Sequence, residues 1–417
     1  MGIFNRIIRK ELIRMKNHDK IINPMKKMKR EHITLCCVSL AWFLILAGRY
    51  SISNLLPQII EELDFSLTEA GIALTTMWLF YAGTQFPSGI YSDIKGRKIS
   101  IIMTMLLFSI SYLLVGLSLS FIMFFASLIF LGIGTGGYPA VGISMITDIF
   151  KEKRGKALGI RDSAGSLAYG VPIIAAVVSQ SYGWRTFFII WSCICFLSIY
   201  IFYRGTEEST TLPTTVSIKE RVIDGINIFK MKNVQLIFLV NLCIAITWIS
   251  YMSFFPSYLI ISKGFTEVQA AIALGVLGAG GFIFKPILGS LSDRYNKKII
   301  IIILSTITAL GTLTIIHSSQ VYFILLISFI PSFATAIFPI ISSSLMESFE
   351  ERGRAGKIGF YRSSLILLAS PSSAVIGYLA DNYTFDIPFY GISGILFLAA
   401  AILLVNLIFE GRIKIKN

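Results

Sequence analysis

The chain has 417 residues, of which 55% are hydrophobic and only 14% charged, with a mean hydropathy of +0.74. A soluble enzyme carries nearer a quarter charged residues, so the composition excludes one and indicates an integral membrane protein. The net charge of +14 does not indicate nucleic acid, because Lys and Arg clustered between apolar stretches follow the rule that cytoplasmic loops are positive.

Residues 1–32 form a basic tail in which Ile3, Phe4, Ile7, Ile8, Leu12 and Ile13 recur at helical spacing among cations. This pattern fits a helix on an anionic membrane surface or a disordered tail. Basic residues run on to Arg30 and no small-residue cleavage site follows, so no signal peptide is expected. Arg6 stands where a myristoylation signal wants Ser or Thr.

Apolar runs about 20 residues long, enough to cross a bilayer core, place helices near 33–59, 70–88, 99–117, 121–147, 158–179 and 185–203. These make an N-terminal bundle over 33–203. A polar cytoplasmic linker over 204–232 follows, in which Ile218, Val222, Ile223, Ile226 and Phe229 fit a surface helix. Further helices are expected near 234–261, 268–288, 299–316, 321–346, 358–380 and 386–408, a C-terminal bundle over 233–408, before a tail at 409–417.

The charges support this layout. The tails and even-numbered connections are rich in Lys and Arg, while the opposite connections hold only Arg185 and Lys263, and the first of them is acidic with Glu61, Glu62, Asp64 and Glu69. Both termini are therefore expected in the cytoplasm. Cys36, Cys37, Cys193, Cys195 and Cys243 read as small core residues. His18, His32 and His317 are scattered, so no metal or cofactor is expected.

A shift of 200 residues aligns Gly89, Ser92, Asp93 and Lys98 with Gly289, Ser292, Asp293 and Lys298. It also aligns Phe65, Ala70, Ile72, Ala73 and Leu74 with Phe265, Ala270, Ile272, Ala273 and Leu274, and Arg154, Gly159 and Ser163 with Arg354, Gly359 and Ser363. The chain is thus two six-helix halves. Six is even, so both halves enter from the same side, as parallel repeats about an axis along the membrane normal. A cavity is expected between them, opened to each side in turn by rocking.

The stretch Gly89-x-x-x-Asp93-x-x-Gly96-Arg97-Lys98 resembles the signature loop of the major facilitator superfamily, with Ile94 where the family usually has Arg. The second copy keeps Gly289, Asp293, Arg294 and Lys298, with Asn296 in place of Gly96. Gly183-Trp184-Arg185-x-x-Phe188 and Gly132-x-Gly134-x-Gly136-Gly137-x-Pro139 are also similar to family patterns. The resemblance covers nearly the whole chain beyond the basic tail. It implies an all-α integral membrane fold of 12 transmembrane helices in two parallel repeats, and secondary transport by alternating access. It also implies that the loops latch the halves on the cytoplasmic face, with Gly89 allowing close approach and Asp93 meeting a helix N-terminus or Arg97. Turns whose cations only set topology are the other reading.

Of the 37 cations, Arg49, Arg161, Lys285 and Arg362 fall within helices, where charge is costly and usually functional. Arg49 is deepest, has no acidic residue in its helix, shares a face with Trp42 and Ser53, and has Ile249 as its repeat counterpart. Its guanidinium suits a bidentate carboxylate or phosphate; capture by backbone carbonyls of a broken helix is the alternative. Lys285-Pro286-x-x-Gly289 is similar to the Arg-Pro-x-x-Gly of monocarboxylate transporters, whose cation contacts substrate, although Lys285 can instead snorkel. Arg161, Asp162 and Arg362 read as an ion pair across the halves or as proton-coupling groups. Tyr50, Trp78, Tyr81, Tyr138, Trp248, Tyr251 and Phe254 lie on helices that line the cavity of this fold, where they stack on substrate or simply pack.

No carboxylate lies in mid-membrane, as proton-coupled drug exporters require, and Leu128 and Gly170-Val-Pro172 depart from those exporters' motifs. The first-helix Arg is similar to that of anion:cation symporters, but Gly48 and Gly136-Gly137 replace their acidic neighbours. The expectation is a monomeric plasma-membrane transporter of a small, carboxylate-like organic anion. Its partners are the lipid bilayer and that small molecule. The alternatives are an exporter of hydrophobic or drug-like compounds, with Arg49 structural, and a non-transporting membrane sensor.

Overall fold

A computed structural model describes residues 2–151, 154–208, 218–349 and 354–411, and among them every regular element is helical. The first half comprises α1 (Gly2–Leu63), α2 (Leu67–Lys95), α3 (Arg97–Gly116), α4 (Phe121–Ile149), α5 (Arg154–Leu167), α6 (Val171–Tyr182) and α7 (Trp184–Gly205). A short α8 (Ile218–Asn227) precedes the second half. That half comprises α9 (Lys232–Lys263), α10 (Glu267–Arg294), α11 (Lys297–His317), α12 (Val321–Ile327), α13 (Ser332–Ser348), α14 (Arg354–Ala369), α15 (Ser372–Asn382) and α16 (Asp386–Phe409). The backbone of the basic tail is continuous with the first span in α1, and α8 occupies the expected linker helix.

The repeat is visible helix by helix, since α2, α3, α4 and α5 begin 200 residues before α10, α11, α12 and α14. Local chemistry repeats with it. Ser66 and Glu69 form a capping box at the start of α2, and Thr266 and Gln269 form one at the start of α10; each satisfies backbone N–H groups that a helix start leaves free. Gly96 turns between α2 and α3 at φ 102°, a region glycine enters without strain. Asn296, its counterpart, stays at φ −62° and its side chain instead accepts from Lys298 N. The substitution within the signature thus changes how the turn is made.

Three of the spans expected as single helices are broken. The fifth passes through a 3-10 turn at Ala168–Gly170 before Pro172, and the tenth and eleventh break at Pro331 and Pro371. Proline lacks the N–H that an unbroken helix needs. Among the described residues, eleven segments are long and apolar enough to cross a membrane. The remaining crossing is α2, 29 residues long and less apolar, which packs between α4 in its own half and α14 and α15 in the other. A helix at the seam between halves faces other helices more than lipid, which explains its polarity.

The halves meet most closely on the face opposite the basic loops. A methyl group added at Gly71 or Gly377 would overlap Ser373 O or Leu67 O, so α2 and α15 touch backbone to backbone there. Beside this contact the Asp381 carboxylate accepts from Leu67 N (3.2 Å), Thr68 N (2.6 Å) and Thr68 Oγ1 (2.5 Å), capping α2 from the other half. Further in, Ser53 Oγ of α1 donates to Ser253 O of α9 at 3.0 Å. These two serines are repeat counterparts, so the pseudo-twofold axis passes near them. Towards the basic face the seam is looser. A Cβ on Gly89 would first meet Ala140 of its own half at 3.8 Å, and one on Gly289 would meet nothing within 4 Å. The Phe86 and Phe360 rings, 6.1 Å apart, join α2 to α14 there.

Candidate functional site

Arg49 projects from mid-α1 and is only 7% exposed. Its guanidinium carbon lies 4.0 Å from the Trp78 ring centroid and 4.9 Å from that of Tyr81, both on α2. The aromatic wall is itself braced. Trp78 Nε1 donates to Ser253 Oγ at 3.4 Å, and that hydroxyl lies 2.9 Å from Ser373 Oγ. Trp78 also meets Tyr81 and Trp248 edge-on, at 5.4 and 5.2 Å between centroids. Aromatic faces attract a cation but supply no hydrogen-bond acceptor in the guanidinium plane. Accordingly Arg49 Nη1 is buried without a partner, and no carboxylate bridges Arg49 among the described residues.

Beside Arg49 is a cavity of about 10 Å³, lined by Tyr50, Ser53, Met77, Trp78, Met252 and Ser253 among others and large enough for one water. Both halves supply walls, so it lies on the seam. Tyr50 stacks on Tyr169 at 4.1 Å, closing one side. Trp248 stands behind Trp78 and beside the Tyr169 hydroxyl, and it also packs on Phe338 at 6.0 Å. Tyr251 turns away into its own half, with its hydroxyl 2.7 Å from Thr312 Oγ1 and its ring against Phe389. Lys285 is half-buried on α10 and does not line the cavity in this closed arrangement.

Trp42 and Tyr138 form a separate group with Arg161. The Arg161 guanidinium sits 4.2 Å from the Trp42 ring and 5.5 Å from that of Tyr138, and its Nη1 pairs with Asp162 of its own helix at 2.9 Å. Arg362 is exposed on α14 and bridges neither residue among those described.

The first signature loop is tied into its own half. Arg97 is buried, with Nη1 2.6 Å from Asp93 Oδ1 and Nε 3.3 Å from Asp148 Oδ2. Lys98 Nζ donates to Tyr203 O (2.7 Å) and Thr206 O (2.5 Å) at the end of α7, while its backbone N–H donates to Glu208 at 3.0 Å. In the second copy Asp293 and Arg294 are exposed, and Lys298 Nζ reaches Asn406 (2.6 Å) and Glu410 (2.7 Å) at the end of α16. Sequence reasoning overlooked Ser253, Ser373, Tyr169 and Asp381. Ser253 was marked only by its register with Ser53, and the others by nothing stronger than residue type.

Two repeated six-helix halves that close against each other on one face, with a buried cation at their seam, define a multi-pass membrane transporter rather than an enzyme. The sequence profile described as Major Facilitator Superfamily matches residues 38–319 and 237–416, and the chain belongs to that family. The chain is 25% identical, over 66% of its length and 67% of the relative's, to a probable sulfoacetate transporter of Cupriavidus necator. It is 24% identical to multidrug resistance protein MdtG of Salmonella arizonae, over 89% of this chain and 93% of that one. In fold it is similar to a bacterial homolog of the human lysosomal transporter Spinster in an inward-facing, occupied conformation. The TM-score is 0.73 at 17% identity, covering 90% of this chain and 96% of the other.

Proposed function

We propose that the protein is a secondary active transporter that moves a small, carboxylate-like organic anion across the plasma membrane by alternating access. Residues 33–203 and 233–408 act as the rocking bundles, joined by a linker over 204–232. The basic face, with the tails 1–32 and 409–417, is cytoplasmic, and the unit is a monomer. The carrying observation is Arg49: a buried guanidinium positioned by aromatic faces, with Nη1 left open. A structural arginine at this depth would be neutralised by carboxylates or saturated by carbonyls. This one keeps part of its donor set for something that arrives. A bidentate anion fits, and a carboxylate or sulfonate supplies the missing acceptors. The cavity beside Arg49 is too small for such a guest while the outer seam is shut, so binding requires the halves to part, which is the coupling that alternating access needs. Lys285, on α10 of the opposite half, is the second cation of the proposed site. The likeness to a sulfoacetate transporter agrees with this substrate class.

The test is thermal stability of the purified protein against mono- and dicarboxylates, sulfoacetate, sugar acids, phosphate esters, and neutral or cationic drugs, with Arg49→Ala alongside. A ligand that binds the folded state raises the melting temperature by mass action. The expected result is protection of the wild type by one anion class and a markedly smaller protection of Arg49→Ala at the same ligand concentration. The longer match to a multidrug resistance protein favours a second reading, export of drug-like compounds. Protection of both proteins by neutral or cationic compounds alone establishes that reading and makes Arg49 structural.

A further inference from the structure

Arg49 is not the only buried guanidinium with open donors. Arg161, on α5, is 3% exposed, and its Nε and Nη2 make no well-aligned hydrogen bond, with the neutral Tyr138 hydroxyl the oxygen beside the guanidinium. These two nitrogens form one edge of the guanidinium, the fork that grips a carboxylate or sulfonate side-on. The remaining nitrogen, Nη1, is held by Asp162, whose side chain is 66% exposed. The carboxylate thus orients the cation without occupying its fork. Lys285, from the opposite half, stands on α10, which packs against α5 across the seam.

Arg161 rests on Trp42 and Tyr138, whose rings stack at 5.7 Å, much as Arg49 rests on Trp78 and Tyr81. Trp42 precedes Arg49 by seven residues on α1, a separation of about 10 Å along a helix that rises 1.5 Å per residue. The direction is towards the basic face. The two boxes therefore lie in series along one helix.

The repeat shows that packing alone does not require this charge. Shifted by 200 residues, Arg161, Trp42 and Tyr138 become Tyr361, Leu242 and Phe338. There the neutral Tyr361 hydroxyl accepts from Asn241 Nδ2 at 3.2 Å, and its ring stacks on Phe229 at 6.3 Å. The same place in the fold is filled without a cation in one half and with a half-open one in the other.

We propose that Arg161, with Trp42 and Tyr138, is a second anion-binding station, which takes the carboxylate or sulfonate of the transported organic anion on the cytoplasmic side of Arg49. The anion passes from one guanidinium fork to the other as the halves rock. This inference rests on the anion reading of the central site, and its test separates the two. The chain has five tryptophans, so full-length protein labelled with 5-fluorotryptophan gives a resolvable ¹⁹F spectrum, in which Trp→Phe variants identify the Trp42 and Trp78 signals. Sulfoacetate and D-glucuronate are the probes.

Both signals shift on titration, with different midpoints, in the wild type. In Arg161→Gln the Trp42 shift needs at least tenfold more probe, while the Trp78 shift is unchanged; Arg161→Lys, which keeps the charge and loses the fork, lies between. Arg49→Gln does the reverse. A Trp78 shift with a silent Trp42, or a Trp42 shift unaltered in Arg161→Gln, overturns the second station and leaves the central one standing. Silence of both signals with both probes overturns the anion reading and the second station with it. The comparison of the two signals within the wild type holds even if a variant folds poorly.

Discussion

Arg49 can be judged by what it costs. A buried cation whose only neighbours are ring faces loses most of its hydration and recovers only part of it through cation–π attraction, about 2 kcal/mol when desolvated. Replacement by an apolar side chain of similar length removes that cost. Arg49→Met is therefore expected to melt at or above the wild-type temperature without ligand, yet to bind sulfoacetate about ten- to a hundredfold more weakly, the value of a lost charge-assisted bond. Calorimetry and a binding titration on the same preparation check both halves; a lower melting temperature with unchanged binding makes Arg49 a structural residue. At this scale the sequence was informative about charge and poor about partners. Arg49, Arg161 and Lys285 were visible because cations interrupt apolar runs. Helical spacing placed Trp42 on the face of Arg49, but the structure seats it against Arg161, because the approach of α5 to α1 is a tertiary fact that spacing along α1 does not contain.

Among the elements, α2 and α15 decide whether the face opposite the basic loops is shut. Gly377 lies so close to Leu67 O that any side chain must push the helices apart. Gly377→Val is expected to hold the face open, reducing transport at least tenfold while leaving ligand binding from that side intact. Spin labels on α2 and α15 should report a longer distance than in the wild type, and an unchanged distance with normal flux would refute this assignment. Asp381→Ala removes the cap that α15 places on the start of α2, a contribution of about 1 kcal/mol, and shifts the same distance distribution part of the way. The sequence located the start of α2 and the end of the eleventh span to within a few residues, but it ended α2 well short of Lys95. It did not show that the fifth, tenth and eleventh spans break. Pro172, Pro331 and Pro371 were there to be read, but membrane helices tolerate proline when neighbours satisfy the freed backbone groups, so proline alone does not mark a break. Pro87, Pro139, Pro256, Pro286 and Pro339 all lie inside continuous helices.

At the scale of the molecule, the two-half architecture was legible because the repeat keeps register over most of its length, while the closed face was not, since one sequence must serve both arrangements. The structure separates contacts within a half from contacts between halves, and the two kinds have different consequences. Lys98 Nζ reaches the last carbonyls of α7, and Lys298 Nζ reaches Asn406 and Glu410 at the end of α16. In each half the third crossing is tied to the sixth by a cation at a helix C-terminus, where the dipole favours it. Loss of such a tie weakens the half as a rigid body and adds no bias to the rocking equilibrium, because the bonds made to α7 move with α3. Lys98→Met is accordingly expected to lower stability by about 1–2 kcal/mol with the distance between α2 and α15 unchanged. Asp381→Ala, acting across the seam, should lengthen that distance with a smaller loss of stability. Melting curves and spin-label distances on the two variants form one experiment. If Lys98→Met moved the distance as far as Asp381→Ala does, the first signature loop would act between the halves as well as within one, and the latch that the family resemblance implies would include Lys98.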